Sequence, residues 1–286
     1  MEKIALITDT GGDLSIRELE ENNIFLTPFI IRYGEKEFKD VLEISPKEIY
    51  DRLHEEVPTS SLPDLGEVTD LFNSLVKKGY THAIIVTISS GLSGTFNSLR
   101  LLCEDFEGLE CFVYDSRGLT VIEGQLVLKI SEMIRIGQSF SEIVNEIPKI
   151  RESMHGYFTI DTLEYLQRGG RIGKIAGSLG SILQIKPIAS VNDEGVLYTH
   201  SKVRGKKKAI NKMTKYLEEV LSEYRCNVWV LEGGAENEAL EYLETLKRNN
   251  YDNVEKFSFG HLGPIFGMHT GPGLVAVVYE KIEKIK

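Results

Sequence analysis

The sequence is poor in several features that would place it in a specialised class. Its 286 residues include only three cysteines, Cys103, Cys111 and Cys226, and their spacing fits neither a zinc site nor a redox motif. We interpret them as buried or partly buried thiols in a reducing compartment. No apolar run approaches the ~18 residues that span a bilayer, and the first residues lack the apolar core of a signal peptide. A cytoplasmic protein is expected.

Positive charge is scarce as well. The chain has 33 lysine and arginine residues against 43 aspartate and glutamate residues, a net charge of −10. Because nucleic-acid affinity comes mostly from neutralising phosphates, this balance disfavours a nucleic-acid-binding protein. No group of histidine, cysteine and carboxylate residues has the spacing of metal ligands, so neither a metal nor another cofactor is predicted.

The composition that remains, 42% hydrophobic and 27% charged residues, is that of an ordinary globular protein. In the first half, segments typical of strands alternate with segments typical of helices, which favours a parallel sheet covered on both faces. Strands are predicted at residues 4–7, 24–31, 82–88 and 110–114, and helices after residues 45 and 94, at 65–78 and 121–136, and after 139. We therefore predict an α/β domain with a parallel sheet over residues 1–154.

The second half has a different pattern. Strands are predicted at residues 157–160, 187–191, 196–202, 226–232 and 274–279, and helices at 206–223 and 236–249. A hairpin turn is expected at residues 193–195, between two of the strands. This order predicts an α+β domain with a mostly antiparallel sheet over residues 155–286.

A serine- and glycine-rich turn carries the strongest chemical signal. The letters SSGLSGT at residues 89–95 follow a buried strand and precede a helix. Glycine lets the backbone approach a ligand closely, and a helix N-terminus offers unpaired N–H groups and a positive dipole end. With the hydroxyls of Ser93 and Thr95, the turn could bind a carboxylate or a phosphate. The alternative is that Ser93 only caps the helix. Asp9, at another strand end, is expected to accept backbone N–H bonds.

An enzymatic interpretation of the same turn is the main functional alternative. It is a serine-dependent small-molecule hydrolase or phosphotransferase that uses Ser93 with His269. However, Thr95 stands where the G-x-S-x-G hydrolase motif has its second glycine, and no histidine near Ser93 in sequence offers a base. His269 begins the letters HTGPG, which we interpret as a rigid turn before a strand.

Residues 202–208 are unusually basic for an acidic protein, because five of the seven are lysine or arginine. They are either the solvated start of a helix or a docking patch for phosphate, an acidic partner or anionic lipid.

These segments together resemble the DegV family of bacterial fatty-acid-binding proteins. The matches occur in family order over nearly the whole chain, at residues 8–10, 58–61, 89–95, 115–116, 161–172, 185–187, 202–207 and 269–273. Each match is weak by itself, and the set is specific. One position departs from the family pattern T-S-Q-P: Leu62 replaces the amide, while the hydroxyls of Ser60 and Ser61 remain.

The resemblance implies two α/β domains and one bound long-chain fatty acid, which is a ligand and not a cofactor. It implies that Thr59, Ser93 and Gly94 hold the carboxylate. Ser61, Arg171 and His269 would belong to the surrounding network. The second domain would contribute the acyl-chain pocket, and its apolar residues Ile172, Ile175, Leu179, Ile182 and Leu183 are candidates for the lining or for ordinary core.

The resemblance also implies a division of labour. The protein itself is then not an enzyme and has no catalytic residue. It would present the fatty acid to a separate kinase, related to dihydroxyacetone kinases, that makes the acyl phosphate. Arg204 and Lys202 would contact that kinase or a lipid headgroup, and transient contact with a membrane surface is compatible with this role.

Overall fold

The computed structural model describes residues 2–178 and 185–285. The chain divides into two compact units, one formed by Met1–Ser45 and Pro58–Glu152 and the other by Pro46–Val57 and Ser153–Lys286. The main division, after Glu152, lies close to the boundary expected at residue 154. The short segment Pro46–Val57 is an additional exchange between the units that the sequence pattern does not indicate.

Unit 1 is built on a four-stranded parallel sheet, which confirms the predicted α/β architecture. Its strand order is β2-β1-β6-β7, and every neighbouring pair is parallel. The strands are β1 Ile4–Asp9, β2 Ile24–Thr27, β6 His82–Thr87 and β7 Glu110–Asp115. The helices are α1 Ile16–Glu21, α3 Leu65–Lys77, α4 Thr95–Glu104, α5 Val121–Arg135 and α6 Phe140–Glu152.

Helices cover both faces of this sheet because its central strands are apolar on both sides. Side chains alternate between the faces along a strand. In β6, Ile84 and Val86 pack with α5 and α6, whereas Ala83 and Ile85 pack with α3 and α4. This two-sided burial explains why the strand is a continuous apolar run in the sequence.

A second, three-stranded sheet in unit 1 corrects one prediction. Residues 24–31 were expected to form a single strand, but Pro28, which cannot donate a ladder hydrogen bond, lies between β2 and a separate strand. The small sheet has the order β4-β3-β5, with strands β3 Ile30–Tyr33, β4 Lys36–Lys39 and β5 Thr59–Ser61. Both of its strand pairs are antiparallel.

Unit 2 contains a six-stranded, mostly antiparallel sheet, as predicted. The strand order is β10-β9-β8-β13-β11-β12, and only β11 and β12 pair in parallel within the described sheet. The strands are β8 Met154–Thr159, β9 Ile185–Val191, β10 Leu197–Arg204, β11 Tyr224–Gly233, β12 Val254–His261 and β13 Leu274–Lys284. The helices are α2 Pro46–Arg52, α7 Glu164–Arg168, α8 Lys206–Leu221, α9 Glu236–Arg248 and α10 Pro264–Thr270.

Apolar packing explains why α2 belongs to unit 2. Ile49 in α2 is fully buried, and Leu53 just after the helix is nearly so. The ring of Tyr50 lies against Gly267 of α10, where an added Cβ would lie 3.2 Å from the ring. The tyrosine hydroxyl similarly lies close to Gly233 at the end of β11. These contacts place α2 in unit 2, whose other residues begin at Ser153, about a hundred positions later in the sequence.

A pair of buried carboxyl groups lies at the carboxyl end of β1. Asp9 and Glu123, from the start of α5, are at most 1% exposed. Asp9 accepts hydrogen bonds from Gly11 N at 2.7 Å and Ile88 N at 3.0 Å, as expected for its backbone-binding role. The two carboxyl groups are electrostatically coupled, and Thr8 donates to Glu123 at 3.1 Å. Glu123 is a partner of Asp9 that the sequence does not reveal.

Burial determines the protonation of this pair. It raises the pKa of Asp9 from 3.8 to about 6. Burial and the neighbouring Asp9 also raise the pKa of Glu123 well above its usual value. A proton held by Glu123 avoids two adjacent buried negative charges, while Asp9 accepts the two backbone N–H groups.

The pair is therefore expected to make unit 1 less stable as the pH rises. Carboxyl groups whose pKa values are raised by folding stabilise the folded state fully below their unfolded values, and this contribution is lost as the pH rises through the folded values. Glu123→Gln retains a donor toward Asp9 but removes one titrating proton. Between about pH 5 and pH 8, the free energy of unfolding of the wild type should fall as the pH rises. We expect this fall to be about 1–3 kcal/mol smaller in Glu123→Gln.

Urea unfolding at several pH values, followed by circular dichroism, measures this slope. Glu107→Gln, at an exposed position, controls for the loss of one negative charge. An unchanged slope in Glu123→Gln would show that the buried pair does not titrate in this range.

Candidate functional site

The serine turn of unit 1, which follows β6, is held by carboxylates at the ends of the two strands that flank β6. Asp9, at the end of β1, accepts the N–H of Ile88 at the start of the turn. Asp115, at the end of β7, accepts Ser90 N at 3.0 Å and Ser90 Oγ at 2.5 Å. Because parallel strands end at the same edge of the sheet, segments distant in sequence fix one short loop. The conformation of the turn is thus fixed by hydrogen bonds at the carboxyl edge of the sheet.

Ser93 and Thr95 form a small hydroxyl cluster where this turn enters α4. Their side-chain oxygens are 2.8 Å apart and share a hydrogen bond. Ser93 Oγ also accepts Thr95 N at 3.4 Å, but the residue in the N-cap position is Gly94, which has no side chain to cap the helix. The first-turn N–H groups of α4 lack intrahelical acceptors. Ser93 is half-buried and Gly94 is exposed.

The proline-threonine segment approaches the same turn. Strand β5 carries Thr59, which is exposed, and Ser61, which is half-buried. Both pair with β3, Thr59 opposite Arg32 and Ser61 opposite Ile30. The side chain of Leu62 then lies 3.8 Å from the position of a Cβ on Gly94. Unit 1 therefore brings together two of the segments from which the carboxylate-binding residues were predicted.

The other predicted residues meet within unit 2. Gly169, after α7, lies directly against the ring of His269, and a Cβ at this glycine would be 2.3 Å from His269 Nδ1. Arg171 Nη1 donates to the Gly169 carbonyl at 2.6 Å. His269 belongs to the last turn of α10, which corrects its placement in a rigid turn: the helix begins at Pro264 and ends at Thr270.

Two further contacts join the same pair of segments. A Cβ on Gly271 would lie 2.2 Å from the ring of Tyr165, and one on Gly273 would lie 2.2 Å from a carboxylate oxygen of Asp161. Both glycines also have positive φ angles, 65° and 103°, which other residues rarely adopt. Tyr165 is a contact that sequence reasoning did not single out, since nothing in its local pattern distinguishes it from a surface tyrosine.

The electrostatic environment makes His269 a weak base. Burial, followed by the positive charge of Arg171, lowers its pKa from 6.5 to about 4. The imidazole is therefore neutral at pH 7. A neutral ring is suited to hydrogen bonding, and its low basicity disfavours a role as general base at neutral pH.

The basic segment is divided between two elements. Lys202 and Arg204 alternate with half-buried residues in β10 and are exposed, while Lys207 and Lys208 are exposed in the first turn of α8. Lys206 instead forms ion pairs with Asp161 and Glu238, at 3.3 and 2.5 Å. The segment thus combines one structural lysine with a strand face and a helix start that present positive charge to solvent.

Metal sites and membrane-spanning helices are not found among the described residues. No three histidine, cysteine, aspartate or glutamate side chains in residues 2–178 and 185–285 are arranged to hold a metal ion. Over the same residues, none of the helices combines the length and hydropathy that a membrane crossing requires.

Gly169→Ala tests the contact with His269. The backbone at this position, φ −74° and ψ −8°, accepts alanine, so the clash with the ring is the dominant effect. We expect a loss of about 1–3 kcal/mol in stability. The displaced ring should also regain solvent, which raises the pKa of His269 toward its ordinary value. NMR titration of the histidine ring protons and chemical unfolding measure these two effects.

Gly170→Asn is the matched control, because its φ is +71° and no atom lies within 4 Å of a Cβ built there. Asparagine tolerates this backbone conformation better than most residues. A pKa of His269 in Gly169→Ala that is unchanged from the wild type would contradict the packing described for the ring.

Known proteins match this chain over nearly its full length. Residues 3–281 match the DegV family, described as uncharacterised proteins. A DegV domain-containing protein of Clostridium acetobutylicum is 47% identical over 281 residues, which cover 98% of this chain and 100% of that protein.

Solved structures agree with this match. The fold is similar to that of a fatty-acid-binding DegV family protein from Thermus thermophilus, with a TM-score of 0.90, 27% identity and coverage of 98% and 100% of the two chains. A stearic acid-binding protein from Eubacterium ventriosum gives a TM-score of 0.84 at 27% identity, with 98% of each chain covered. On its sequence and its fold, the chain belongs to the DegV family.

Proposed function

We propose that this protein binds one long-chain fatty acid and presents its carboxylate to a partner kinase for acyl-phosphate formation. The observation that carries the proposal is the full-length similarity to solved DegV proteins described as fatty-acid-binding and stearic acid-binding. The site residues of this chain support it, because the segments around Thr59 and Ser93 come together in unit 1.

The serine turn has the chemistry that a carboxylate head requires. A carboxylate accepts several hydrogen bonds at once, and charge-assisted bonds are stronger than neutral ones. The hydroxyl of Ser93, the hydroxyl of Thr59 and the N–H of Gly94 are the donors that we assign to it. The positive end of the α4 dipole adds favourable electrostatics. Ser61, Arg171 and His269 are assigned to supporting roles.

The acyl chain is expected to supply most of the affinity. At ~0.8 kcal/mol per buried methylene, about 14 methylenes would contribute on the order of 11 kcal/mol before ordering costs. Of the lining candidates, Ile175 is fully buried and Ile172 half-buried in unit 2. Leu179, Ile182 and Leu183 lie outside the described residues. The polar head would then determine the orientation of the ligand and contribute less to the strength of binding.

The geometry gives less support to the serine-enzyme alternative. The hydroxyl of Ser93 shares its hydrogen bond with Thr95, and the pKa of His269 is lowered to about 4. A nucleophilic serine needs a base that accepts its proton near neutral pH. Turnover of an ester or phosphate by the purified protein, lost in both Ser93→Ala and His269→Ala, would restore this alternative.

The basic segment is the surface that we assign to the kinase. Lys207 and Lys208 are exposed in the first turn of α8, which contains no acidic residue. Positive side chains at the positive end of a helix dipole are unfavourable for the isolated protein. An anionic group of a partner would relieve this repulsion, and Arg204 and Lys202 on β10 extend the same positive region.

Ser93→Ala is expected to weaken fatty-acid binding while the fold is retained. Loss of one hydrogen bond to a charged group costs about 1.5–3 kcal/mol, which corresponds to a Kd roughly tenfold to a hundredfold higher. Titration of the delipidated protein with stearate, read by native mass spectrometry, measures the change.

Ser74→Ala is the control, since the Ser74 hydroxyl donates to Leu71 O within its own helix. Equal stearate affinity in Ser93→Ala and Ser74→Ala would remove Ser93 from the carboxylate site. A protein that takes up no fatty acid at all would overturn the proposed function itself.

Arg204→Ala is expected to separate ligand binding from transfer. Stearate affinity should stay within about twofold, because a charge at the edge of an interface acts mainly on partner association. Acyl-phosphate formation with a fatty acid kinase and ATP, trapped as the hydroxamate, should fall by about tenfold or more at low kinase concentration.

Lys129→Ala, on α5 of unit 1, controls for the loss of one positive charge. Unchanged acyl-phosphate formation in Arg204→Ala would place the kinase surface elsewhere. Loss of stearate binding by a folded Arg204→Ala protein would instead assign the arginine to the ligand.

A further inference from the structure

The loop between β7 and α5, residues 116–120, has an unusual backbone. Arg117 and Thr120 both have positive φ angles, 43° and 53°. Residues with a Cβ rarely adopt such angles, and threonine is especially disfavoured because it is branched at Cβ. Conformations of this kind persist only where the surrounding structure holds them in place. The β7–α5 loop therefore needs anchors outside its own sequence.

Arg151, in the last turn of α6, supplies one of these anchors. Its guanidinium donates Nε to the carbonyl of Ser116 and Nη2 to the carbonyl of Arg117, the second at 2.7 Å. Hydrogen bonds from a charged donor are stronger than neutral ones, and the planar fork of arginine fixes two acceptors at once. At the other end of the loop, Thr120 N donates to Gly11 O at 2.7 Å. The loop is thus held at both ends.

The anchored loop in turn binds the first residue of the serine turn. Ser89 N donates to the carbonyl of Gly118 at 2.9 Å. The carbonyl of Ser89 accepts the N–H groups of Leu92 and Ser93, at 3.0 and 3.1 Å. Ser89 is fully buried, and hydrogen bonds in such surroundings are stronger than in water. A continuous path of hydrogen bonds and peptide groups therefore connects the Arg151 guanidinium to the backbone of Ser93.

We propose that Arg151 is a positioning residue for the carboxylate site. Its guanidinium holds the β7–α5 loop in its strained conformation, and the loop holds the turn whose Ser93 hydroxyl and Gly94 N–H we assign to the carboxylate. Arg151 acts through the loop and not by contact with the fatty acid. Donors that are fixed before the ligand arrives reduce the ordering cost of binding. The role in ligand binding rests on the proposed function, whereas the coupling of Arg151 to the turn rests on the contacts of unit 1.

Hydrogen exchange of the delipidated full-length protein tests the coupling without a ligand. Mass spectrometry follows the peptide that contains residues 88–95 in the wild type and in Arg151→Ala. We expect this peptide to exchange about tenfold faster in the variant, because the turn opens more often when the loop is released. Peptides from α3 and from unit 2 should exchange as in the wild type. Unchanged exchange at residues 88–95, or an equal acceleration throughout unit 1, would overturn the proposal.

Two ligands of equal chain length connect this coupling to binding. Stearate carries the carboxylate, and octadecanol carries a neutral hydroxyl in its place. Arg151→Ala should raise the Kd of stearate about fivefold or more and leave the Kd of octadecanol within about twofold, because only the carboxylate needs several fixed donors. Native mass spectrometry measures both. Equal weakening of the two ligands would assign Arg151 a general structural role and overturn the proposal. Faster exchange of the turn in a protein that binds no stearate would instead overturn the proposed function, while the coupling of Arg151 to the turn would hold.

Two further variants control for charge. Lys149→Ala removes a positive charge from the same helix, where Lys149 pairs with Glu146 at 2.7 Å on the surface. It should behave as the wild type does in both experiments. Arg151→Lys keeps the charge but lacks the fork that binds two carbonyls, so it should recover only part of the stearate affinity. Full recovery by lysine would refute the role assigned to the guanidinium.

Discussion

The hydrogen bonds of one buried carboxyl group determine the backbone on which the serine turn of unit 1 is built. Asp9 holds Gly11 N, after β1, and Ile88 N, after β6, and thereby joins two strand ends that are far apart in sequence. Burying this group is costly unless every oxygen is bonded. Both oxygens of Asp9 are bonded in this way, and Thr8 donates to the neighbouring Glu123. The loop that carries Ser93 therefore depends on a carboxyl pair that is not itself part of the proposed ligand site.

Unit 2 uses a different device to position its candidate residues. Gly169, Gly271 and Gly273 leave space for the side chains of His269, Tyr165 and Asp161, respectively. Two segments that are a hundred residues apart thus pack backbone against side chain, with little tolerance for a methyl group. In unit 1 the position of Ser93 depends on hydrogen bonds to backbone, whereas in unit 2 the position of His269 depends on the absence of a Cβ. Both devices fix polar groups without a metal or a disulfide in the described residues.

Local patterns were sufficient to predict most elements of the four-stranded and six-stranded sheets, because buried strands and amphipathic helices have distinct periods. They failed where the decisive contact is distant in sequence. Pro28 divides residues 24–31 between two sheets, and no local signal identified Glu123 as the partner of Asp9. The resemblance to a family directed attention to Thr59, Ser93, Arg171 and His269.

The exchange of residues Pro46–Val57 into unit 2 has a consequence for folding during synthesis. Tyr50, with its buried neighbours Ile49 and Leu53, leaves the ribosome long before Gly233 and Gly267, which Tyr50 contacts. At about 5–20 residues per second, this interval lasts on the order of ten seconds or more. Strands β3 and β5, which lie on either side of the segment in sequence, pair with each other. Unit 1 can therefore fold before the residues that α2 contacts in unit 2 have been synthesised. The nascent chain must therefore carry exposed apolar side chains at Ile49, Tyr50 and Leu53, which is the kind of surface that chaperones bind.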